Sequence, residues 1–424
     1  MRTREIKTKL CYVGVALTCL MTVEATAQTT NGFRGPDRDG VYKETGLLTS
    51  WPQEGPALLW ETLDAGKGYS SPVIEKDRIY VTGMNAEENK EIFSAYSLDG
   101  KKVYEIVYGS PWDKSYPETR TTPTIVGSKA YVISGSGEVV CISLKKGDIL
   151  WKIDGGATFK RKTGYWGTCE SPLVFDNKVI FTPGGEETTM VALNAETGTT
   201  IWKSKPLGDE STYVSPVLIN HKGKKQILAQ VGKKVIAVHP DNGNIVWTFN
   251  EWGSKAEGKD HVATNTPLYH NGRIFLSLGY DRGAYMLQLN EDASAVTLLW
   301  SNSDLDNHHG GLVLLKGVIY GSNWINNNQG NWVAVDWNTG KTIFENPWNG
   351  KGKGAIITAD NMLYCYDDRR GTVGLVKPDP AKFNVVSEFS VKKGEGPHWA
   401  HPVIQNGILY IRHGNALMAY KIKK

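Results

Sequence analysis

The sequence predicts an all-β fold, an eight-bladed β-propeller of four-stranded antiparallel blades whose last blade is closed by an N-terminal strand. Three observations support this prediction. A module of short strands recurs eight times, with a period that is typical of propellers rather than of helical arrays. No long amphipathic helical pattern interrupts the strands. The final module lacks its fourth strand, and a segment near the start of the chain has the pattern of that missing strand.

The first half of each module predicts two short strands joined by a turn. The first strand usually opens with Ser/Thr-Pro or Ser/Thr-x-Pro, and the second ends in an aliphatic–aromatic pair, as in Ser71-Pro72 followed by Ile79-Tyr80. The sixth and seventh modules keep this register without the proline. The anchors stand at positions 72, 123, 172, 216, 267, 312, 356 and 402, so that successive modules begin 44 to 51 residues apart.

The second half of the module ends in a Gly-x-x-x-aromatic pattern. Clear copies are Gly147 to Trp151, Gly198 to Trp202, Gly243 to Trp247 and Gly340 to Phe344. The glycine suits the turn between the third and fourth strands. The aromatic side chain then falls on the outermost strand, where we expect it to pack against the neighbouring blade.

The last module predicts how the ring closes. From Pro402 to Ile422 it contains three strands and no outer aromatic strand, whereas Pro56 to Trp60 has the pattern of such a strand. We therefore expect residues 57–63 to complete the last blade. Closing the ring in this way removes the open sheet edge that eight separate blades in a row would leave.

The 424 residues divide into three parts: residues 1–27 as a signal peptide, residues 28–54 as an N-terminal extension and residues 55–424 as a single propeller. A basic start and an apolar stretch too short to span a membrane precede Ala25-Thr26-Ala27, where cleavage is expected. We therefore expect a periplasmic or otherwise extracytoplasmic monomer, without a membrane span in the mature chain. The formal net charge of +4 does not favour a nucleic-acid partner.

Two segments carry a resemblance to a known family. The repeats Val191 to Trp202 and Val333 to Gly340 resemble those of the pyrroloquinoline-quinone (PQQ) propeller superfamily, and Phe33 to Gly40 is similar to the opening of many exported bacterial PQQ-like repeat proteins. The resemblance covers nearly the whole mature chain. It implies the propeller fold, but this superfamily contains quinoprotein dehydrogenases and also the quinone-free propeller lipoprotein of the barrel assembly machinery.

The strand order of a blade places two kinds of loop at one end of the ring: those between fourth and first strands and those between second and third strands. Six of the nine histidines fall in these loops. The candidate catalytic residues there are His308, His309 and His401. The candidate ligand-binding residues are Tyr69, Arg120, Trp166, Glu170, His261, Asn265, Arg282, Trp324, Arg369 and His398. Each has a structural alternative, such as turn capping by a histidine or packing between blades by a tryptophan.

These residues favour a binding or scaffold module, with a His/Arg/Trp-rich pocket at the channel mouth. Its partner would be a small polar ligand such as a saccharide, or an envelope protein. One alternative is a carbohydrate-active lyase or hydrolase, since histidine and tyrosine can exchange protons near neutral pH. In that alternative, His308, His309 and His401 could also hold a transition metal, whose identity the sequence leaves open.

A second alternative is a PQQ- and calcium-dependent alcohol or sugar dehydrogenase, which the resemblance implies. In that family a glutamate, an asparagine and an aspartate bind calcium, and Glu170 and Asn265 occupy loops where the first two could fall. The loop for the aspartate reads Asn307-His308-His309, which suits calcium poorly. The Cys-x-x-Cys-His haem motif is missing from the sequence. PQQ with calcium is therefore disfavoured, and the cofactor is left open.

Overall fold

The computed structural model describes residues 30–251 and 262–424. Within these ranges the strands form eight sheets, six of four strands and two of five. Each sheet contains one blade of the ring, and we call the blades A to H in chain order. The four strands of each blade pair antiparallel. The predicted eight-bladed propeller is confirmed.

The N-terminal segment contributes β1 (Thr30–Asn31), β2 (Val41–Tyr42) and β3 (Ala57–Thr62). Blade A contains β4 (Val73–Glu75), β5 (Arg78–Asn85), β6 (Lys90–Ser97) and β7 (Lys102–Gly109). Blade B contains β8 (Thr124–Val126), β9 (Lys129–Ile133), β10 (Glu138–Ser143) and β11 (Ile149–Asp154), and is followed by the one-turn helix α1 (Gly155–Thr158). Blade C contains β12 (Leu173–Phe175), β13 (Lys178–Phe181), β14 (Val191–Asn194) and β15 (Thr200–Lys203). Blade D contains β16 (Val217–His221), β17 (Lys224–Val231), β18 (Lys234–Val238) and β19 (Ile245–Phe249).

Blade E contains β20 (Leu268–His270), β21 (Arg273–Ser277), β22 (Ala284–Leu289) and β23 (Val296–Asn302). Blade F contains β24 (Val313–Leu315), β25 (Val318–Ser322), β26 (Trp332–Asp336) and β27 (Thr342–Asn346). Blade G contains β28 (Gly354–Ala359), β29 (Met362–Asp367), β30 (Thr372–Lys377) and β31 (Asn384–Ser390). Blade H contains β32 (Val403–Gln405), β33 (Ile408–His413) and β34 (Ala416–Lys421). No helix in the described ranges is long and apolar enough to cross a membrane.

The core lies between adjacent blades rather than at the centre of the ring. The second and third strands of a blade are buried on both faces, because each face packs against a neighbouring blade. In one such layer, Tyr131 and Cys141 of blade B pack with Val179 and Leu193 of blade C. This explains why the middle strands read as continuous apolar runs, while an outer strand such as β11 contains only exposed and half-buried residues.

The outer aromatic side chains join each blade to the next. The Trp151 indole N–H donates to the carbonyl oxygen of Ala195 at 2.9 Å, and that of Trp202 donates to the carbonyl oxygen of Pro240 at 3.0 Å. Gly198 packs on the Trp151 ring with a φ of 72°, and a Cβ atom there would lie only 2.8 Å from that ring. The Gly-x-x-x-aromatic pattern thus encodes both partners of a contact that repeats around the ring.

The predicted closure of the ring is confirmed. Strand β3 pairs antiparallel with β34, from Ala57 opposite Lys421 to Thr62 opposite Leu417. Blade H therefore takes its outer strand from the N-terminal part of the chain. The indole N–H of Trp60 on β3 donates to the carbonyl oxygen of Leu98 in blade A at 2.7 Å, which continues the series of contacts between blades.

The N-terminal extension fills the channel, which the sequence pattern did not predict. Strand β1 pairs antiparallel with the inner strand β8 of blade B, and β2 pairs parallel with the inner strand β28 of blade G. We call residues 30–42 the channel segment. It enters along one blade and leaves along another, so that two sheets gain a fifth strand on their inner edges.

Arg34 binds three blades from inside the channel. Its guanidinium group is buried and donates to the carbonyl oxygens of Leu312 at 2.5 Å and Ile356 at 3.0 Å, and to Nδ1 of His401 at 2.9 Å. These acceptors belong to blades F, G and H. Burial lowers the pKa of Arg34 to about 10, so the side chain is still charged at pH 7.

Arg38 does the same on the other side of the channel. Its buried guanidinium donates to the carbonyl oxygens of Pro172 at 2.5 Å, Ser171 at 2.9 Å and Pro216 at 3.0 Å, and to Oγ1 of Thr124 at 3.3 Å. Blades B, C and D are thereby linked. Burial lowers the pKa of Arg38 to about 10 as well.

Replacing Arg38 by methionine should destabilise the whole ring. The substitution leaves the carbonyl oxygens of Ser171 and Pro216 without their side-chain donor, whereas that of Pro172 still accepts from the Thr124 hydroxyl. Each buried polar group left unpaired costs about 1–3 kcal/mol, so we expect a loss of at least about 2 kcal/mol in the free energy of unfolding, measured with denaturant. The exposed Arg370→Met is the control. Equal losses in the two variants would show that Arg38 does not hold the blades.

Two tryptophans on outer strands allow the contribution of the hydrogen bond to be separated from that of ring packing in the contact between blades. The indole rings of Trp202 and Trp300 each pack on a glycine of the next blade, Gly243 and Gly340. The Trp202 N–H donates to the carbonyl oxygen of Pro240, whereas Nε1 of Trp300 has no hydrogen-bond partner among the described residues. Trp202→Phe should therefore cost about 1 kcal/mol more than Trp300→Phe, the usual net value of one hydrogen bond. Thermal and denaturant unfolding of both variants measure this difference, and equal costs would contradict the assigned hydrogen bond.

Candidate functional site

The loops that strand order assigns to one end of the ring bring six rings into a continuous row at the channel mouth. We call them the aromatic row. Consecutive ring centroids are separated by 4.9 Å (Tyr69–Trp399), 5.5 Å (Trp399–His309), 4.5 Å (His309–His308), 4.8 Å (His308–Tyr280) and 5.2 Å (Tyr280–Trp324). The row joins loops of blades A, H, F and E, and all six side chains are partly exposed.

A chain of hydrogen bonds runs along the centre of the row. Nε2 of His308 lies 2.7 Å from the Tyr280 hydroxyl, and its Nδ1 lies 2.8 Å from Nδ1 of His309. Nε2 of His309 faces Oδ2 of Asp368 at 3.8 Å. The carboxylate favours a proton on this Nε2, so His309 accepts through Nδ1 from His308. His308 in turn accepts from Tyr280.

A buried ion pair lies beside this chain. Nζ of Lys353 is 3.3 Å from Oδ2 of Asp368 and donates to the carbonyl oxygen of Asn327 at 2.7 Å. Burial lowers the pKa of His308 to about 3, with a further contribution from the Lys353 charge, and lowers the pKa of His309 well below its usual range. Burial raises the pKa of Asp368 to about 6, against the opposing effect of Lys353. At pH 7 the site therefore holds two neutral imidazoles and an ionised carboxylate.

His401 lies beneath the mouth rather than in the row. Arginine can only donate, so the contact from Arg34 requires an unprotonated Nδ1 on His401. Nε2 then carries the proton and donates to the carbonyl oxygen of His309 at 3.0 Å. Burial lowers the pKa of His401 to about 3. Because both of its ring nitrogens form hydrogen bonds, His401 connects the channel segment to the histidine loop, which is the loop that carries His308 and His309.

Arg120 and Trp166 form a separate cluster beside the row. Arg120 donates to the carbonyl oxygens of Ser115 (3.1 Å), Tyr116 and Trp166, so its charge holds two loops together. Trp166 packs against Tyr213, with ring centroids 5.6 Å apart. The guanidinium is thus engaged by backbone, and its predicted binding role stays a prediction.

The side chains of Glu170 and Asn265 both form hydrogen bonds with neighbouring residues of the propeller. The Glu170 carboxyl accepts from the backbone N–H and from the hydroxyl of Thr182, each at 3.1 Å, and burial raises its pKa to about 7. The Asn265 amide donates to the carbonyl oxygen of Asn307 at 2.9 Å and accepts from the Gly311 N–H at 3.2 Å.

These two residues do not fit the calcium and quinone of a quinoprotein dehydrogenase. Their side-chain oxygens already accept hydrogen bonds from Thr182 and Gly311. The described residues also contain no cluster of three or more His, Cys, Asp or Glu that could hold a metal ion. The nearby channel also contains the charged side chains of Arg34 and Arg38, which oppose binding of a divalent cation.

Arg282 stabilises the loop that carries Tyr280 of the aromatic row. It is buried and donates to the carbonyl oxygens of Gly279 at 3.1 Å and Leu278 at 2.6 Å, which fixes the loop that carries Tyr280. Asp306 completes this support by accepting from the N–H groups of Asp281 at 2.5 Å and Gly283 at 2.8 Å. The loop needs such support because Tyr280 and Asp281 have φ angles of 58° and 63°.

The remaining predicted residues lie at the edge of the site or outside the described chain. The His398 side chain is buried, and its Nδ1 lies within hydrogen-bond distance of the Tyr366 hydroxyl, at 2.6 Å. Its ring stacks on that of His413, with ring centroids 3.6 Å apart. Arg369 is exposed on the loop after β29. His261 lies outside the described residues. The functional roles assigned to all of these residues stay predictions.

The candidate residues chosen from the sequence include neither Lys353 nor Asp368. Each stands in one of the two loop classes that form the mouth, Lys353 directly before β28 and Asp368 directly after β29. Strand order alone therefore assigns both to this end of the ring. Nothing local indicates that they pair, because the ion pair depends on how the two loops of blade G meet.

Comparison with known proteins agrees with this architecture. The family model described as outer membrane protein assembly factor BamB matches residues 22–163 and 107–329. No curated protein matches the sequence. BamB from Moraxella catarrhalis is similar in structure, with a TM-score of 0.62 and 14% identity over 86% of this chain and 99% of that protein.

Two enzymes have similar folds. A quinohemoprotein alcohol dehydrogenase from Comamonas testosteroni gives a TM-score of 0.66 at 13% identity, over 92% of this chain and 79% of that one. A europium-containing methanol dehydrogenase gives a TM-score of 0.66 at 12% identity, over 89% and 88%. At these identities the likeness concerns the fold alone. Because the family matches span well over half of the sequence, the chain belongs to the family of PQQ-like propellers described as outer membrane protein assembly factor BamB.

Proposed function

We propose that this chain acts outside the cytoplasm as a binding propeller that takes a polar, saccharide-like ligand along the aromatic row. The observation that carries the proposal is the row itself. Trp399 and Trp324 stand on either side of a neutral histidine pair, and all of these rings are partly exposed at the channel mouth.

The chemistry of the row suits a polyhydroxylated ligand. Tryptophan and tyrosine offer a rigid apolar surface at low entropic cost, against which the C–H face of a sugar ring can pack. Imidazole and phenol groups next to that surface can bond hydroxyl groups in either direction. An apolar surface with a few fixed polar groups is the usual composition of a small-molecule site.

Support for the location and for a scaffold role comes from two further sources. Residues 1–27 have the pattern of a signal peptide, although they lie outside the described residues. The matching family is described as an assembly factor for outer membrane proteins. An envelope protein is therefore the second kind of partner that we propose, and it could bind the ring independently of the mouth.

Trp399→Ala should weaken saccharide binding without unfolding the ring. Trp399 contacts both Tyr69 and His309, so its removal separates Tyr69 from the rest of the row. Loss of the surface on which one sugar ring packs costs about 1–3 kcal/mol, which corresponds to an affinity lower by about fivefold or more. Calorimetric titration of the mature chain with neutral and uronate-containing oligosaccharides, alongside tryptophan fluorescence, measures this loss.

Leu299→Ala is the control, because Leu299 is a large exposed apolar residue on the outer strand β23 and is not part of the aromatic row. It should bind like the original chain. Absence of saccharide binding by the unmodified chain, or equal weakening by both substitutions, would contradict the proposed ligand site.

A second candidate function is acid–base catalysis on a bound uronate saccharide. The specific observation in its favour is the pair of hydrogen bonds that joins His309 through His308 to Tyr280, with the Asp368 carboxylate 3.8 Å from Nε2 of His309. As a base, Tyr280 would pass its own proton to His308 and remove the C5 proton of the uronate. The C4–O bond then breaks, a C4=C5 double bond forms and the departing oxygen takes up a proton from the tyrosine. His308 finally returns its proton to the tyrosinate. No oxidant or added water is needed.

Tyr280→Phe separates this function from simple binding. The variant keeps the ring that packs against Trp324 but loses the hydroxyl that contacts His308. We expect undiminished oligosaccharide binding and complete loss of the unsaturated product, which is followed by its ultraviolet absorbance. If the unmodified chain leaves uronate oligosaccharides intact, the catalytic candidate is wrong, whereas the binding proposal is judged only by the titration.

A further inference from the structure

We infer a second binding site, on the end of the ring opposite the aromatic row, for a small zwitterion such as a free amino acid or a short peptide. The site is a cleft of about 670 Å³ between blades E and F. Its volume falls within the range that is usual for small-molecule sites, about 300–1,000 Å³.

The cleft lies among the turns that join first and second strands, which are at the other end of each blade from the mouth loops. Its sides are the β20–β21 turn, with His270, and the β24–β25 turn, with Lys316. Its inner end is Asp39 of the channel segment, and Arg273 lies farther out, at the start of β21. The site is therefore complete only when the channel segment is in place.

The cleft exists because the channel segment leaves one blade uncovered. Within the described residues, side chains of this segment donate to acceptors in the other seven blades: Ile74 (A), Thr124 (B), Pro172 (C), Pro216 (D), Leu312 (F), Ile356 (G) and His401 (H). Blade E receives no such bond there. Its inner strand β20 instead faces the cleft, through Leu268 and Tyr269.

Charge is divided along the cleft. The carboxylate of Asp39 accepts from the Val41 N–H through Oδ1 at 2.9 Å, which leaves Oδ2 available for an ammonium group. At the outer end, Arg273 is held by Asn338 at 2.9 Å through Nη1, which leaves Nη2 available, and Lys316 extends from an exposed turn. An acid at the inner end and two bases at the outer end match a ligand with an ammonium group and a carboxylate.

The experiment is a calorimetric titration of the mature chain with L-alanyl-L-alanine, supported by melting curves. We expect saturable binding by the free dipeptide. Its N-acetylated form and its C-terminal amide should each bind at least about tenfold more weakly, since each lacks one charge-assisted contact. Asp39→Asn should weaken binding to the same extent, while Oδ1 of the new residue can still accept from Val41 and preserve the fold.

Lys316→Met tests the carboxylate end, and Lys76→Met is its matched control. Both lysines are exposed and occupy the same position of the same turn, with φ angles of 51° and 55°, but Lys76 belongs to blade A and is not part of the cleft. We expect weaker dipeptide binding for Lys316→Met alone. No binding by the free dipeptide, equal binding by its capped forms, or equal weakening by the two lysine variants would overturn the inference.

Discussion

Every blade of a propeller presents the edge of its first strand to the central channel, and this edge must be satisfied by something. Buried backbone carbonyl groups without donors are costly. In this chain two arginines supply the donors: Arg34 for blades F, G and H, and Arg38 for blades B, C and D. A guanidinium group is well suited to this task because it has five N–H donors in a fixed plane. The ring is thus held from its axis as well as by the contacts between neighbouring blades.

The same constraint shapes both candidate sites. At the mouth, Arg34 fixes the tautomer of His401, and His401 then donates to the backbone of His309, so the channel segment helps to position the histidine loop. At the opposite end, no side-chain hydrogen bond joins this segment to blade E among the residues that the structure describes, and the cleft there has Asp39 as its inner wall. One short segment therefore connects two sites that lie at opposite ends of the molecule.

The repeat, the closure by β3 and the packing of outer aromatics could be predicted because each depends on local pattern or on strand order. Strand order also placed His308, His309 and Trp324 on one end of the ring. The channel segment could not be predicted, since the acceptors of Arg34 and Arg38 in the blades are separated from these arginines by 86 to 367 residues. For the same reason the sequence did not indicate that Arg34 would form a hydrogen bond with His401, or that Lys353 and Asp368 would form an ion pair beside His308 and His309.

The late position of these acceptors has a consequence for folding. The channel segment is made first, but Arg34 binds groups 322 and 367 residues later in the chain, and β3 pairs with a strand that ends at Lys421. Contacts of such high sequence separation form slowly, because the entropy of closing the loop opposes them. An unfinished ring exposes unpaired inner edges and an open last blade, and exposed strand edges readily pair with another chain. The period between synthesis of the first blade and closure of the eighth is therefore when this protein is most prone to aggregate.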